Sequence, residues 1–376
     1  TVLVPVYKGF EETRDCINSV LKTMASCKTQ IELVVINDES PEPILSDWLE
    51  SHAQEHSYKL IVNSHNLGFV GTVNLGMAQT KNDVVLLNSD AEVANDWLDR
   101  LVNACYQSKV KVSSVTPFSN NATICSFPNI CQDNELPVNL VLEQVDYIFS
   151  VANTNKSIEI PTAIGFCMYI SRRSLDEVGL FDEERFGKGY GEENEFCLRA
   201  KAAGWTHLHA LDTFVWHKGS VSFGADVQAE RVKHAMRIIE DEYPSYQLDV
   251  QRFVSFDPAR ISRLVTTYMM FQVQYAKRAL VVTHDRYGGV QRNIDDLVLA
   301  YPEVGWILVK PSSSGRVSLE LSQAETNSRL EFLLPSDFSL LKCFLLSMGV
   351  SFIHWHHLLG LPFEIRKLLK ELRVPN

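Results

Sequence analysis

A chain of 376 residues with 45% hydrophobic and 22% charged side chains has an ordinary globular composition, and it is long enough for two domains at roughly 150 residues each. Its net charge of −11 excludes a general nucleic-acid or anionic-membrane binder, because such surfaces need clustered Lys and Arg. An acidic protein can still bind a phosphorylated small molecule where a metal ion supplies the local positive charge.

The first third alternates strands and helices. Val2–Val6 reads as a strand ending in Pro5-Val6-Tyr7, followed by a helix with Ile17, Val20, Leu21 and Met24 on one face. Ile31–Ile36 is a second buried strand running into Asn37-Asp38-Glu39-Ser40, and the next helix groups Ile44, Leu45, Trp48 and Leu49. Lys59–Val62 is a third strand, and Asn66-Leu67-Gly68-Phe69 leads into a helix through Gly71, Asn74 and Gly76. Asp83–Val93, DVVLLNSDAEV, supplies a fourth strand that is apolar to its last residue and then turns polar and acidic. Such alternation predicts an α/β fold with a largely parallel, right-handed sheet.

On that topology Tyr7, Asp38 and Asp90 all lie just past strand carboxyl ends, where open α/β sheets bind ligands. Asp90 could hold a hard divalent cation through oxygen. Asp38 is suited to accept hydrogen bonds from a base imide or a ribose hydroxyl, and Tyr7 to flank a base. Asn66 and Gly68 allow close backbone approach of phosphate near a helix N-terminus. Taken singly, each stretch also reads as a plain turn or helix-entry loop.

Val4-Pro5-Val6-Tyr7, Val35-Ile36-Asn37-Asp38, Asn66-Leu67-Gly68-Phe69 and Leu87-Asn88-Ser89-Asp90 together resemble the family 2 glycosyltransferases, nucleotide-sugar enzymes of the GT-A fold, in a rhamnosyltransferase-like form. The resemblance implies donor binding by Pro5, Tyr7, Asp38, Asn66, Gly68, Asn88, Ser89 and Asp90. It makes Asp90 the last acid of an Asp-x-Asp motif that ligates Mg2+ or Mn2+. Asn88 stands where the first Asp usually is, so it is expected at ribose or phosphate rather than on the metal.

Further along, Trp97–Tyr106 reads as a helix, Val110–Thr116 as a strand and Pro117–Pro128 as a loop, while Cys131–Lys156 shows only a weak helical pattern. Ala163–Ile170 is a strand whose Gly165-Phe166 either lines a cleft or serves close strand packing. Phe186–Trp205, FGKGYGEENEFCLRAKAAGW, is a glycine-rich lead-in to a helix with Glu192, Glu193 and Glu195 in its first turn. Acids there favour a helix dipole without any further role. The segment also looks like the Gly-Glu-Asp-Asn-Glu signature of GT-A transferases. By that resemblance Glu193 is the general base, Glu192 its catalytic neighbour that binds acceptor or orients the site, Glu195 a supporting residue, and Gly165 and Phe166 acceptor contacts. Glu stands where the family has Asp at the base position. Within Phe214–Gly224 a lone His after a strand reads equally as a satisfied structural histidine, but the resemblance makes His217 a further metal ligand; Lys218 and Ser220 could touch phosphate, and a helix from Asp226 to about Tyr243 closes this part.

Pro258–Arg278 reads as a connecting helix, and a strand at Ala279–Thr283 then meets His284-Asp285-Arg286-Tyr287-Gly288-Gly289-Val290. That opening resembles a family 4 glycosyltransferase of the GT-B type, with Val350–Pro362 fitting a later strand and loop. The expected organisation is a GT-A domain at 1–245, a linker helix at 246–278 and a partial GT-B-like half-domain at 279–376 that would not act alone. His354, His356 and His357 have no Cys or carboxylate at ligand spacing, so zinc is not expected.

The eight cysteines (Cys16, Cys27, Cys105, Cys125, Cys131, Cys167, Cys197 and Cys343) form no Cys-x-x-Cys pair, which predicts buried free thiols in a reducing compartment. The chain opens in an apolar strand with no initiator Met, implying residues removed upstream and leaving secretion open. Leu340–Phe363 is the most apolar long segment, but Lys342 and three histidines interrupt it too often for a membrane span.

The function implied is an inverting, metal-dependent hexosyl transfer from a UDP- or dTDP-sugar to a saccharide or lipid-linked saccharide, in cell-surface polysaccharide synthesis. No nucleic-acid partner is expected. The implied location is the cytoplasm, with the inner membrane face as an option for a lipid-linked acceptor. A non-catalytic sugar-nucleotide or glycan-binding module is the alternative. A nucleotidyltransferase is disfavoured, since no Gly-rich, Arg/Lys-bearing loop follows the first strand.

Overall fold

Alternating side chains along the first strands face two different cores, and that alternation builds a helix–sheet–helix sandwich. The computed structural model describes residues 1–135, 139–219, 225–322, 327–372 and 374. In chain order the first elements are β1 (Val2–Val6), α1 (Phe10–Thr23), β2 (Leu33–Asn37), α2 (Pro43–His56), β3 (Lys59–Val62), α3 (Gly68–Ala78), β4 (Val84–Leu87), β5 (Ala91–Glu92), α4 (Trp97–Tyr106) and β6 (Val112–Phe118). They are followed by α5 (Leu142–Ala152), β7 (Ser157–Ile160), β8 (Cys167–Ile170), α6 (Arg172–Val178), α7 (Glu183–Phe186), α8 (Glu192–Ala202), β9 (Thr206–Phe214), β10 (Trp216–His217), α9 (Ala225–Glu242) and α10 (Tyr246–Phe256).

Eight of these strands form one sheet in the order β3-β2-β1-β4-β8-β6-β9-β7. β1 to β4, β6 and β9 run one way, while β7 and β8 run against them. Val2, Val4, Val6, Val85 and Leu87 pack on one face with Ile17, Leu45, Leu49, Trp97 and Leu101 from α1, α2 and α4. Leu3, Val84 and Leu86 pack on the other with Val70, Val73, Met77, Leu175 and Phe196 from α3, α6 and α8. Period-two burial on both faces is why these strands read as continuous apolar runs.

Some local expectations shift. β6 continues through Pro117 and Phe118, which the sequence placed in a loop, because Phe118 is fully buried and pairs with Phe214. Within the poorly patterned stretch, α5 carries a buried Asp146 that the pattern could not anticipate. Its carboxylate pairs with Arg100 at 2.5 Å and accepts hydrogen bonds from Asn95 Nδ2 at 2.8 Å and the Phe214 N–H at 3.0 Å. Burial pushes the Asp146 pKa up despite Arg100, and the knot fixes the end of β9 from which β10 departs. No disulfide joins any of the eight cysteines, all of them among the described residues, but Cys131 and Cys343 are exposed and Cys27 is half-buried rather than buried.

The chain divides into two compact units, the first comprising Thr1–Asp133 with Leu142–Arg260 and the second Asn134–Val141 with Ile261–Asn376. The span 246–278 holds two helices: α10 in the first unit and α11 (Arg260–Gln274), almost all of which falls in the second. The second unit continues with β11 (Lys277–Val282), α12 (Gly289–Ala300), β12 (Val304–Pro311), β13 (Arg316–Ser322), β14 (Asn327–Leu333), α13 (Phe338–Met348), β15 (Phe352–Trp355) and α14 (Phe363–Glu371). Its sheet order is β14-β13-β12-β11-β15, with β11 parallel to both neighbours and β12, β13 and β14 antiparallel. It has cores of its own, one around Phe271, Ile307, Phe332 and Met348 and another around Ala279, Val281 and Trp306. No helix of the described residues is long and apolar enough to cross a membrane.

Candidate active site

β2, β1 and β4 are adjacent and parallel, so Asp38, Tyr7 and the Asn88–Asp90 turn leave one edge of the sheet together. Pro5 lies within β1 opposite Ile36, and the half-exposed Tyr7 has Lys8 Nζ 5.4 Å from its ring centre. Asp38 is 4% exposed, and its carboxylate is engaged by the loop that follows β3. Oδ1 accepts from Asn63 Nδ2 at 2.9 Å and the Leu67 N–H at 2.7 Å, while Oδ2 accepts from Asn66 Nδ2 at 3.0 Å and the Gly68 N–H at 2.8 Å. Four donors fill the usual acceptor capacity of a carboxylate. Asp38 therefore shapes the 63–68 loop here. Gly68 has φ +77°, and a Cβ there would meet Lys188 at 2.7 Å; Lys188 Nζ in turn donates to Asn66 Oδ1 at 2.6 Å.

Asp90 is held differently. A two-stranded ribbon pairs β5 with β10, setting Ala91 against His217 and Glu92 against Trp216. That pairing carries His217, 127 positions downstream, to within 3.4 Å of Asp90 (Nε2 to Oδ1). Asp90 Oδ2 accepts the Gly219 N–H at 3.1 Å. His217 Nδ1 donates to the Asn121 carbonyl at 2.7 Å, so the neutral ring keeps its lone pair on Nε2, facing Asp90. Asn120 grips the His217 backbone twice, its Oδ1 accepting the N–H and its Nδ2 donating to the carbonyl, each at 2.8 Å. Phe166 stacks on the imidazole with centres 5.2 Å apart and planes 25° apart. Burial opposes charge on the ring, yet Asp90 outweighs it and the His217 pKa is raised. Asn88 is fixed through its backbone, its N–H donating to the Phe166 carbonyl at 2.8 Å and its carbonyl accepting from Ala91 at 3.0 Å. Ser89 is half-buried in the same turn.

The acids of α8 separate by role. Glu195 is 1% exposed and is consumed by Arg185 at 3.2 Å and Arg199 at 2.9 Å, which makes it an anchor for the helix. Glu192 is 3% exposed and Glu193 half-buried, and each leaves a buried Oε2 without a hydrogen-bond partner among the described residues. Burial and then the charge of Glu193 push the Glu192 pKa well up, and burial raises that of Glu193. The charge of one carboxyl bears on the other, so they titrate as a pair.

Consecutive residues join these clusters. A Cβ at Gly165 would lie 3.8 Å from the Glu193 carboxylate, while Phe166 carries the His217 imidazole. A Cβ at Gly189 would lie 3.6 Å from Phe69 and 3.9 Å from Glu192 Oε1, linking the 66–69 loop to the acid pair. Phe166 is 3% exposed, which gives it a supporting place behind His217 rather than an open surface. Lys218 forms an ion pair with Glu12, and Ser220 lies outside the described residues. Sequence reasoning missed Asn120 and Asn121. The only signal was a pair of amides in a segment that otherwise read as a loop.

Residues 1–179 match the family model for glycosyl transferase family 2. They carry a glycosyltransferase family 2 domain. An uncharacterized glycosyltransferase of Haemophilus influenzae is 25% identical over 103 residues, covering 27% of this chain and 31% of that protein. The chain thus spans about a third of that relative. Among solved structures, GalNAc-T7 with UDP, GalNAc and Mn2+ aligns with TM-score 0.48 and 16% identity over 86% of this chain and 65% of the other. The mannosyltransferase PcManGT of Pyrobaculum calidifontis with GDP-Man and Mn2+ aligns with TM-score 0.46 and 14% identity over 80% and 79% of the two chains.

Proposed function

We propose that this protein is an inverting glycosyltransferase that moves a sugar from a nucleoside-diphosphate sugar to a hydroxyl of a saccharide or lipid-linked saccharide. The observation carrying the reading is the dipeptide Gly165-Phe166, which faces a carboxyl pair of raised pKa on one side and the Asp90–His217 pair on the other.

Asp90 and His217 fit a divalent cation, Mg2+ or Mn2+. One offers a carboxylate oxygen and the other an imidazole lone pair, 3.4 Å apart, and two donors about 2.1 Å from an octahedral ion sit about 3 Å from each other. Among the described residues no third His, Cys, Asp or Glu joins them, which leaves positions for diphosphate oxygens and water. When bound, such an ion neutralises charge that develops on a departing nucleoside diphosphate. Asn120 and Asn121 hold the His217 ring in the ligating tautomer. The loop shaped by Asp38, with Asn66 and Gly68, borders the donor. Glu193 takes the proton from the acceptor hydroxyl as that oxygen attacks the anomeric carbon from the face opposite the leaving group; its raised pKa makes it a stronger base than an exposed carboxylate. Glu192 orients the acceptor through the oxygen it leaves unpaired. A single displacement with one base inverts configuration.

Residues 279–376, whose central β12-β11-β15 strands are parallel, are read as the first half of a family 4 type fold. The decisive test is a screen of nucleotide sugars for Mn2+-dependent binding and slow hydrolysis by the full chain. Binding without hydrolysis or transfer at saturating Mn2+ and with varied acceptors would overturn the enzymatic reading and leave a sugar-nucleotide-binding module.

A further inference from the structure

The second unit has its own ligand edge. From β11 the chain passes through α12 to β12 on one side, and after β14 it returns through α13 to β15 on the other side of β11. The loops leaving β11 and β15 therefore diverge, and such a topological switch point opens a crevice at the carboxyl edge of a parallel sheet. Four histidines meet there. His284 follows β11, His354 lies on β15, and His356 and His357 follow it, with their backbone N–H groups donating to the Val282 carbonyl at 2.9 and 3.3 Å. The His284 and His357 rings are 5.4 Å apart, and His354 stacks on His356 at 4.3 Å with planes 10° apart.

We propose that this crevice binds a phosphoryl group through the imidazole N–H groups of His284, His354, His356 and His357. The Nδ1 of His284 accepts the Arg286 N–H at 3.0 Å and that of His357 the Leu359 N–H at 2.8 Å, so both neutral rings carry their proton on Nε2 and present it as a donor. His356 Nε2 is buried and has no hydrogen-bond partner among the described residues, a cost that an oxyanion would remove. Burial, His354 and His284 all press the His356 pKa down, which is the state of a cluster short of negative charge. Two features turn the cluster away from a metal. The Nδ1 lone pairs of His284 and His357 are already used, and no metal-holding group of three occurs among the described residues. Space is available as well, since a Cβ at Gly288 or Gly289 would meet no heavy atom within 4 Å. A phosphoryl group offers three acceptor oxygens to the donors of such a cluster.

The test is calorimetric titration of the full chain with inorganic phosphate, uridine monophosphate and acetate. We expect saturable binding of phosphate or of the monophosphate, whichever is tighter naming the source of the group, and no saturable heat from acetate. His356→Ala and His284→Ala should each weaken that binding by roughly tenfold to a hundredfold, the weight of a hydrogen bond to a charged group, and leave Mn2+-dependent donor binding unchanged. His354→Gln, which keeps a polar side chain, guards against misreading a folding defect and should weaken binding with the same far-ultraviolet dichroism. Absence of saturable heat, equal heat from acetate, unaltered binding in all three histidine variants, or loss of binding in Asp90→Ala instead would each overturn the proposal.

Discussion

Asp38 and Asp90 look alike in the sequence, each an acid one or a few residues past a buried parallel strand, yet their surroundings make them opposites. Asp38 is closed by four donors from the neighbouring loop after β3, while Asp90 shares an opening with an imidazole lone pair. A strand-end acid is available for chemistry only to the extent that the surrounding loops leave it unsatisfied. Substitution should separate the two. Asp90→Ala is expected to lower metal-dependent donor hydrolysis on the order of a thousandfold, the loss of several kcal/mol of charge stabilisation, with little change in melting temperature. Asp38→Ala should instead cost about 3 kcal/mol of stability, because it frees two amides and the two N–H groups that open α3. Equal effects on hydrolysis, or equal effects on melting, would break the distinction in one direction; a metal requirement surviving Asp90→Ala would break it in the other.

The carboxyl pair extends the contrast. Glu193→Gln should reduce transfer by about a hundredfold or more while retaining donor binding, and near-normal transfer would move the base to Glu192. Because both folded pKa values are raised, the native state holds protons that the unfolded chain gives up, so this pair costs stability as pH rises through the folded values. Glu192→Gln should therefore raise the melting temperature at pH 8, with the gain fading once the pH falls below the ordinary carboxylate range. Transfer should show the matching acid limb, lost as pH drops through a midpoint above about 4.3, the usual Glu value.

Much of the fold was legible because buried strands and amphipathic helices advertise their periods; β1 to β4 and α1 to α4 fall close to where those patterns put them. What could not be read has a common cause. β5 and β10 are two residues each, too short for any period, yet they alone carry His217 to Asp90. Asp146, the buried partner of Arg100, sits in the stretch that read as polar with a weak helical pattern, because a satisfied interior acid and a solvated one look the same in a sequence. Asp38 suffers the same ambiguity, and so do Asn120 and Asn121, whose amides grip His217 from a segment that had only loop composition. Asn120→Ala offers a middle-sized test of that grip. Removing both backbone bonds to His217 should weaken Mn2+ binding about tenfold, measured by calorimetry with donor present, and leave the affinity of Asp90→Ala for Mn2+ unaffected.

The smallest expected effect tests the bridge between the two halves of the site. Gly165 does not lie in the left-handed region, and a Cβ there would stand 3.8 Å from the Glu193 carboxylate, an ordinary van der Waals distance. Gly165→Ala should thus fold normally, and its stiffer unfolded chain should add about 0.4–1 kcal/mol of stability. It should not alter hydrolysis of the donor, since the metal pair lies on the far side of Phe166. If the acceptor hydroxyl reaches Glu193 across Gly165, the added methyl group narrows that approach and raises the acceptor KM about tenfold, the cost of a misfitting methyl in a binding pocket. A variant with raised stability, unchanged hydrolysis and unchanged acceptor KM would place the acceptor elsewhere along Glu192 and Glu193. A fall in hydrolysis would mean that Gly165 serves the donor side, and that the two halves of the site are not divided at this dipeptide.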